Sequence, residues 1–187
     1  MCALIAIATW NLVRRGSEEP RRAACGPVGR TAPSPAVPGA RGAQIGGYSL
    51  LFYPYPAEER LSFRIRGPGY PTLVAIFARD RSAQVTLEGY RCRDGKKLRF
   101  WFRPGKPFRN LPVSTADLER SGDLSPKISF RGHTELTSTG AEVTTGYANF
   151  STLGRWAISI KQDGETIGSV VIGLTGYSHP FTDPLSR

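Results

Sequence analysis

Eight cationic residues crowd into positions 91–109: Arg91, Arg93, Lys96, Lys97, Arg99, Arg103, Lys106 and Arg109, against Asp94 alone. In an extended strand, successive side chains point to opposite faces. Over Lys97–Arg103 that rule sends Leu98, Phe100 and Phe102 to one face and Arg99, Trp101 and Arg103 to the other. A tryptophan between two guanidinium groups can stack a base or a sugar ring and hold a phosphate or another anion beside it. The plainer alternative, and the preferred one, is a structural tryptophan covered by the stems of its arginines. Arg64 and Arg66 alternate with Phe63 and Ile65 and extend the basic face if their strand lies alongside. The candidate binding set is therefore Arg99, Trp101, Arg103, Arg64, Arg66 and Lys97.

The residues for covalent or metal chemistry do not assemble in the same way. His133 and His179 sit in polar, loop-like stretches, and no GxSxG elbow occurs. A triad of Ser129, His133 and a distant aspartate is the one nucleophilic arrangement that can be sketched. Glu58, Glu59, Asp117 and Glu119 fall in turns and read as solvated. There is no DxDxDG loop, no GxxxxGK[ST] and no GxGxxG, so calcium loops, nucleotide hydrolysis and dinucleotide chemistry have no support. Cys2, Cys25 and Cys92 form no CxxC pair and lie far from the histidines, which argues against zinc. Three thiols also make a poor disulfide framework. Cys92, between Arg91 and Arg93, reads as a strand-end cysteine that would be reactive if exposed. The expectation is a protein without catalytic residues, cofactor or metal.

Charge sets the class of partner. The 187-residue chain carries a formal charge of +10, with 40% hydrophobic and 10% aromatic residues, 21 glycines and 15 prolines. Residues 1–44 hold six arginines against Glu18 and Glu19, so the excess is spread along the chain and is not confined to a polybasic tail. Such a balance points to anionic partners: a cell-envelope polymer, a membrane surface or nucleic acid.

The elements that must position these residues read as strands. GGYSLLFYPY, RLSFRIRGPG, YPTLVAIFARD, AQVTLEGYRC and KKLRFWFRPG follow one another with turn signals between. Arg93-Asp94-Gly95 joins the last two as a hairpin. STADLER suggests a short helical turn, PKISFRG a short edge strand and TSTGAEVTTG a polar loop. The closing hairpin is the clearest element. Asp163-Gly164 supplies a turn needing positive φ, and pairing Gln162 with Glu165 puts Trp156, Ile158, Ile160, Ile167 and Val171 in one buried strip. This spacing is that of an all-β sandwich over about residues 45–174. Residues 1–44 read as a disordered basic tail, because RRGSEEPRRAACGPVGRTAPSPAVPGARGAQ offers almost no aliphatic surface to bury. Residues 175–187 form a C-terminal extension. MCALIAIATWNLV is too short to span a bilayer, and its arginines follow the apolar run where a secretory signal has them precede it. Arg22-Ala23-Ala24-Cys25-Gly26 echoes the end of a lipoprotein signal, with Arg22 where an aliphatic residue is wanted.

KLRFWFRPGKPF, followed some forty residues later by GAEVTTGYANFSTLGRWAISIKQDGETIGSVVIGL, resembles a family of uncharacterised bacterial extracytoplasmic domains of the Bacillus lipoprotein type. Phe100-Trp101-Phe102, Gly154-Arg155-Trp156 and Ile167-Gly168-Ser169-Val170-Val171 occupy the family's aromatic strand, its Gly-x-Trp strand and its last strand. The resemblance covers about residues 97–174. It implies an immunoglobulin-like antiparallel sandwich and an extracytoplasmic, envelope-associated location, and carries no activity. The resulting expectation is a non-catalytic binding or accessory module for an anionic envelope polymer. A nucleic-acid-binding protein using the Arg99–Trp101–Arg103 face is the alternative, and a hydrolase with a loop-borne site is a second.

Overall fold

The computed structural model describes residues 25–35, 37–53, 56, 59–65, 67, 71–78, 82–102, 124–132, 135–136 and 142–177. The described residues form two packed β-sheets. Thirteen strands follow in order: β1 Ala32–Pro33, β2 Arg41–Ile45, β3 Tyr48–Tyr53, β4 Ser62–Ile65, β5 Pro71–Ala78, β6 Gln84–Arg91, β7 Arg99–Trp101, β8 Leu124–Ser125, β9 Lys127–Arg131, β10 Glu135–Leu136, β11 Glu142–Asn149, β12 Gly154–Gln162 and β13 Glu165–Tyr177. The larger sheet runs β1-β2-β3-β5-β11-β7-β8, with β10 also on β11, and the smaller runs β4-β13-β12-β6-β9. Among the described residues all pairings are antiparallel except β4 with β13. The chain is thus an all-β sandwich, as its strand spacing predicts. Between the sheets lie Leu50, Phe52, Ile76 and Phe100 from one and Leu87, Trp156, Ile158 and Ile160 from the other. Burying each side chain of this size contributes about 1.5–3 kcal/mol before entropy is counted.

The closing hairpin holds the predicted turn and departs from the predicted register. Asp163 and Gly164 both have positive φ, at 50° and 92°, and Gln162 faces Glu165. A bulge at Ile160/Lys161 then shifts the ladder, so Ile160 faces Gly168, Ile158 faces Val170 and Trp156 faces Ile172. The inner strip is consequently Trp156, Ile158, Ile160, Val170 and Ile172, while Ile167 is expelled to 37% exposure and Val171 turns to the other face. Gly168 supplies the physical reason. A Cβ there would lie 2.7 Å from Ile45 Cγ2, so the bulged register seats a residue without a side chain beneath the close approach of β2.

Order begins well before residue 45. β1, β2 and the residues from Cys25 belong to the sandwich, although they fall in the segment expected to be an unstructured tail. Aliphatic content is low there, but backbone bonding and a crosslink replace it. Gly29 N–H donates to Val171 O at 2.8 Å, Leu61 N–H to Gly29 O at 2.9 Å, and Thr31 N–H to Glu59 O at 2.6 Å. Arg41 Nε donates to Thr31 Oγ1 at 2.9 Å, while Ala43 and Ile45 enter the core. Cys25 is bonded to Cys92 in a disulfide with Cα atoms 5.5 Å apart. The thiols that looked unpaired in the sequence are therefore partners across 67 residues, and Cys92 is not a free nucleophile. The same bond occupies the sulfur that a lipid anchor on Cys25 would need.

Three further expectations change. Residues 175–177 continue β13, and Glu142–Thr145, expected in a polar loop, begin β11. The β6–β7 hairpin opens after a single bridge, Tyr90 to Lys97, and β7 crosses to the larger sheet. The crossing occurs at Gly89, where a Cβ would lie 2.9 Å from Leu98 Cδ2. Leu98 tucks into that space and becomes fully buried.

A candidate anion-binding edge

The predicted alternation along β7 holds for the described positions. Leu98 and Phe100 are fully buried and Phe102 packs against the core, while Arg99 is exposed on the outer face. Trp101 is half-buried. Its ring centroid lies 5.8 Å from that of Tyr147, its cross-strand neighbour on β11, with the planes tilted by 57°. Aromatic–aromatic packing therefore occupies part of the surface that a stacking platform would present. Arg99 Nη2 donates to Leu124 O at 2.9 Å, which ties β7 to β8.

The six candidate residues divide. Lys97, Arg99 and Trp101 come together at the edge where the chain passes between the sheets. Arg64 does not join them. It sits on β4, the opposite margin of the smaller sheet, with β13, β12 and β6 between it and β9, about 19 Å at the usual strand spacing. Extending the basic face required their strand to lie alongside β7, and β4 pairs with β13 instead. Arg66 and Arg103 lie outside the described residues, as do His133, His179, Asp117, Glu119, Glu58 and STADLER. Ser129, the described member of the sketched triad, accepts from Gln84 Nε2 at 2.8 Å and shares a 3.0 Å hydrogen bond with Thr86 Oγ1.

Two cations that sequence proximity did not suggest complete the edge. Pro126 carries the chain from β8, the margin of the larger sheet, directly into β9, the margin of the smaller one. Lys127 and Arg131 on β9 are exposed, with Ile128 and Phe130 between them turned inward. Their signal was present in PKISFRG as period-two alternation, but nothing in the sequence places that strand beside Lys97. The margin thus exposes Arg93, Lys96, Lys97, Arg99, Lys127 and Arg131. Among the described residues its acids are already engaged: Glu88 Oε2 meets Lys161 Nζ at 3.0 Å, and Asp94 is paired with Arg91. The other margin carries the exposed cations Arg30, Arg60 and Arg64.

Arg91 belongs to the scaffold. Its Nε donates to Asp94 Oδ1 at 2.8 Å, its Nη1 bonds Thr152 Oγ1, and its guanidinium carbon lies 6.0 Å from the ring centroid of Trp156. The hydrogen bond from Arg91, followed by the one from the Lys96 N–H, lowers the Asp94 carboxyl from 3.8 to about 2. The same contact raises the Arg91 value. Because the folded Asp94 value lies below the unfolded one, its contribution to stability is complete above about pH 4 and is lost as pH falls towards 2. Asp94→Asn should therefore be less stable than the parent near neutrality, with the two acid-unfolding curves converging at the bottom of that window. A difference independent of pH down to 2 would show that the pair does not carry the effect.

Among the described residues, no group of three histidine, cysteine or acidic side chains converges to hold a metal, and no helix is long and apolar enough to cross a membrane. No protein-family model matches the chain, and no curated protein sequence matches it.

Proposed function

We propose that this protein is a non-catalytic, extracytoplasmic, envelope-associated binding module that holds an anionic polymer on its β7–β9 margin. The observation that carries the reading is the cationic edge itself: Arg93, Lys96, Lys97, Lys127 and Arg131 exposed along β6 and β9, with Arg99 exposed on the adjoining β7 and Glu88 and Asp94 already paired elsewhere. Anions meeting this margin find charge that no described acid neutralises, and affinity comes mainly from lysine and arginine contacts that salt screens. The Cys25–Cys92 disulfide supports the location, because such bonds persist in oxidising compartments. Strand order supports an immunoglobulin-like form of the sandwich. β3-β5-β11 matches the A-B-E order of that fold, and β13-β12-β6-β9 matches G-F-C-C′. The half-buried Trp101, packed on Tyr147, favours this reading over nucleic-acid stacking.

The test is retention of the oxidised protein on immobilised dextran sulfate. Binding at low ionic strength that is eluted by a rising salt gradient is the expected result. Passage without retention at low salt would end the polyanion reading.

A further inference from the structure

The exposed positions on the β9 margin are spaced regularly. Lys127, Ser129 and Arg131 are exposed at every second position of the strand. Two residues of strand advance about 6.8 Å. Lys127 faces Glu88 and Lys97 faces Tyr90, two residues further along the same side of β6, since β12 occupies the other side. Residues opposite one another share a face. Lys97, Lys127, Ser129 and Arg131 therefore form one straight outward row, with three repeats spanning about 20 Å. The facing acid, Glu88, is held by Lys161.

From this row, and resting on the polyanion-binding reading above, we infer that the ligand is a linear phosphodiester polymer joined through short, flexible polyol units, lying along β9 with successive phosphates at Lys97, Lys127, Ser129 and Arg131. A straight row on one face is matched by a chain whose successive charges can turn to the same side at about one strand repeat. Polymers of sugar acids are stiffer and rotate their carboxylates from ring to ring, so fewer of them meet the row. Lysine offers a point charge and arginine a planar fork that takes two phosphate oxygens at once. Ser129, already bonded to Gln84 and Thr86, stands between the cations, at the phosphate between those on Lys127 and Arg131. Among the described residues the exposed aromatics, Tyr53 and Tyr177, lie on β3 and β13, away from the row, and Tyr90, opposite Lys97 on the same face, is half-buried.

The experiment is fluorescence-anisotropy titration of the oxidised full chain with end-labelled poly(glycerol phosphate), polygalacturonate and oligo(dT), matched in number of charges. Two variants carry equal charge loss: Lys97→Gln/Lys127→Gln/Arg131→Gln on the row, and Arg30→Gln/Arg60→Gln/Arg64→Gln on the opposite margin. Thermal melts confirm that both fold. Poly(glycerol phosphate) should bind most tightly. The row variant should weaken it at least about tenfold and flatten the log–log salt slope by about 2, at roughly 0.7 per lost contact, while the other variant changes it little. Equal weakening by both variants would overturn the row in favour of diffuse net charge. Equal affinity for polygalacturonate would overturn the phosphodiester class, and tighter oligo(dT) binding would reassign the margin to nucleic acid. In each of those cases the polyanion reading survives. Failure of every polymer to bind at low salt removes that reading, and the inference falls with it.

Discussion

Replacing Trp156 with alanine is expected to lower the free energy of unfolding by about 3–5 kcal/mol, the range for removing a large aromatic from a packed interior. The side chain has no solvent exposure and stands on the inner face of β12, which is bonded on both sides by β13 and β6. Phe150 meets it edge-on at 5.4 Å between centroids, and its Nε1 donates to Thr152 O at 3.2 Å. Truncation therefore empties a cavity, strips Phe150 of a partner and leaves a carbonyl without its donor. Arg91 loses the ring beneath its guanidinium as well, so the Arg91–Asp94 turn should loosen. Urea unfolding followed by Tyr and remaining Trp fluorescence reads the loss. A change below about 1 kcal/mol would place Trp156 outside the cooperative core.

Removing the disulfide should cost a comparable amount. Joining Cys25 to Cys92 closes a loop of 67 residues, which in the chain-entropy treatment restricts the unfolded chain by about 4 kcal/mol. The segment behind Cys25 rests on few apolar contacts, so its order depends on the crosslink more than the core does. A Cys25→Ala/Cys92→Ala protein should unfold at lower denaturant than the oxidised parent. Backbone amides of Gly29 and Thr31 should lose hydrogen-exchange protection before those of β12. Identical midpoints with and without reductant would show that the bond contributes nothing to stability.

The sequence was most legible where the determinants were local. Asp163-Gly164 permits few backbone conformations, so the hairpin and its first pair followed directly. Leu98 and Phe100 alternate with Arg99 along a strand one side of which must be dry, and their burial followed as well. Determinants from elsewhere in the chain were not legible. The bulge at Ile160/Lys161 answers to Ile45 on β2, which presses on Gly168 from over a hundred residues away. The bond between Cys25 and Cys92 requires two segments to meet in space, and composition alone made the first of them look unstructured. At the candidate edge, Lys97 and Arg99 were found from their own neighbourhood. Lys127 and Arg131 were missed because only the crossover at Pro126 brings β9 beside them. Arg64 was included for the opposite reason, its alternation being sound and its strand partner being β13.

The crosslink also decides how this domain meets mechanical force. A pull on the residues before Cys25 does not peel the segment from Gly26 to Thr31 off one bond at a time, because Cys25 hands the load to Cys92. Cys92 follows β6 directly, and β6 is paired along its length with β12 and, from Gln84 to Glu88, with β9. Tension therefore enters the smaller sheet at the end of β6, in its interior, and bypasses the Gly26–Thr31 segment. With the bridge oxidised, traction spares the bonds of Gly29 and Thr31; with it reduced, those bonds are the first to carry the load.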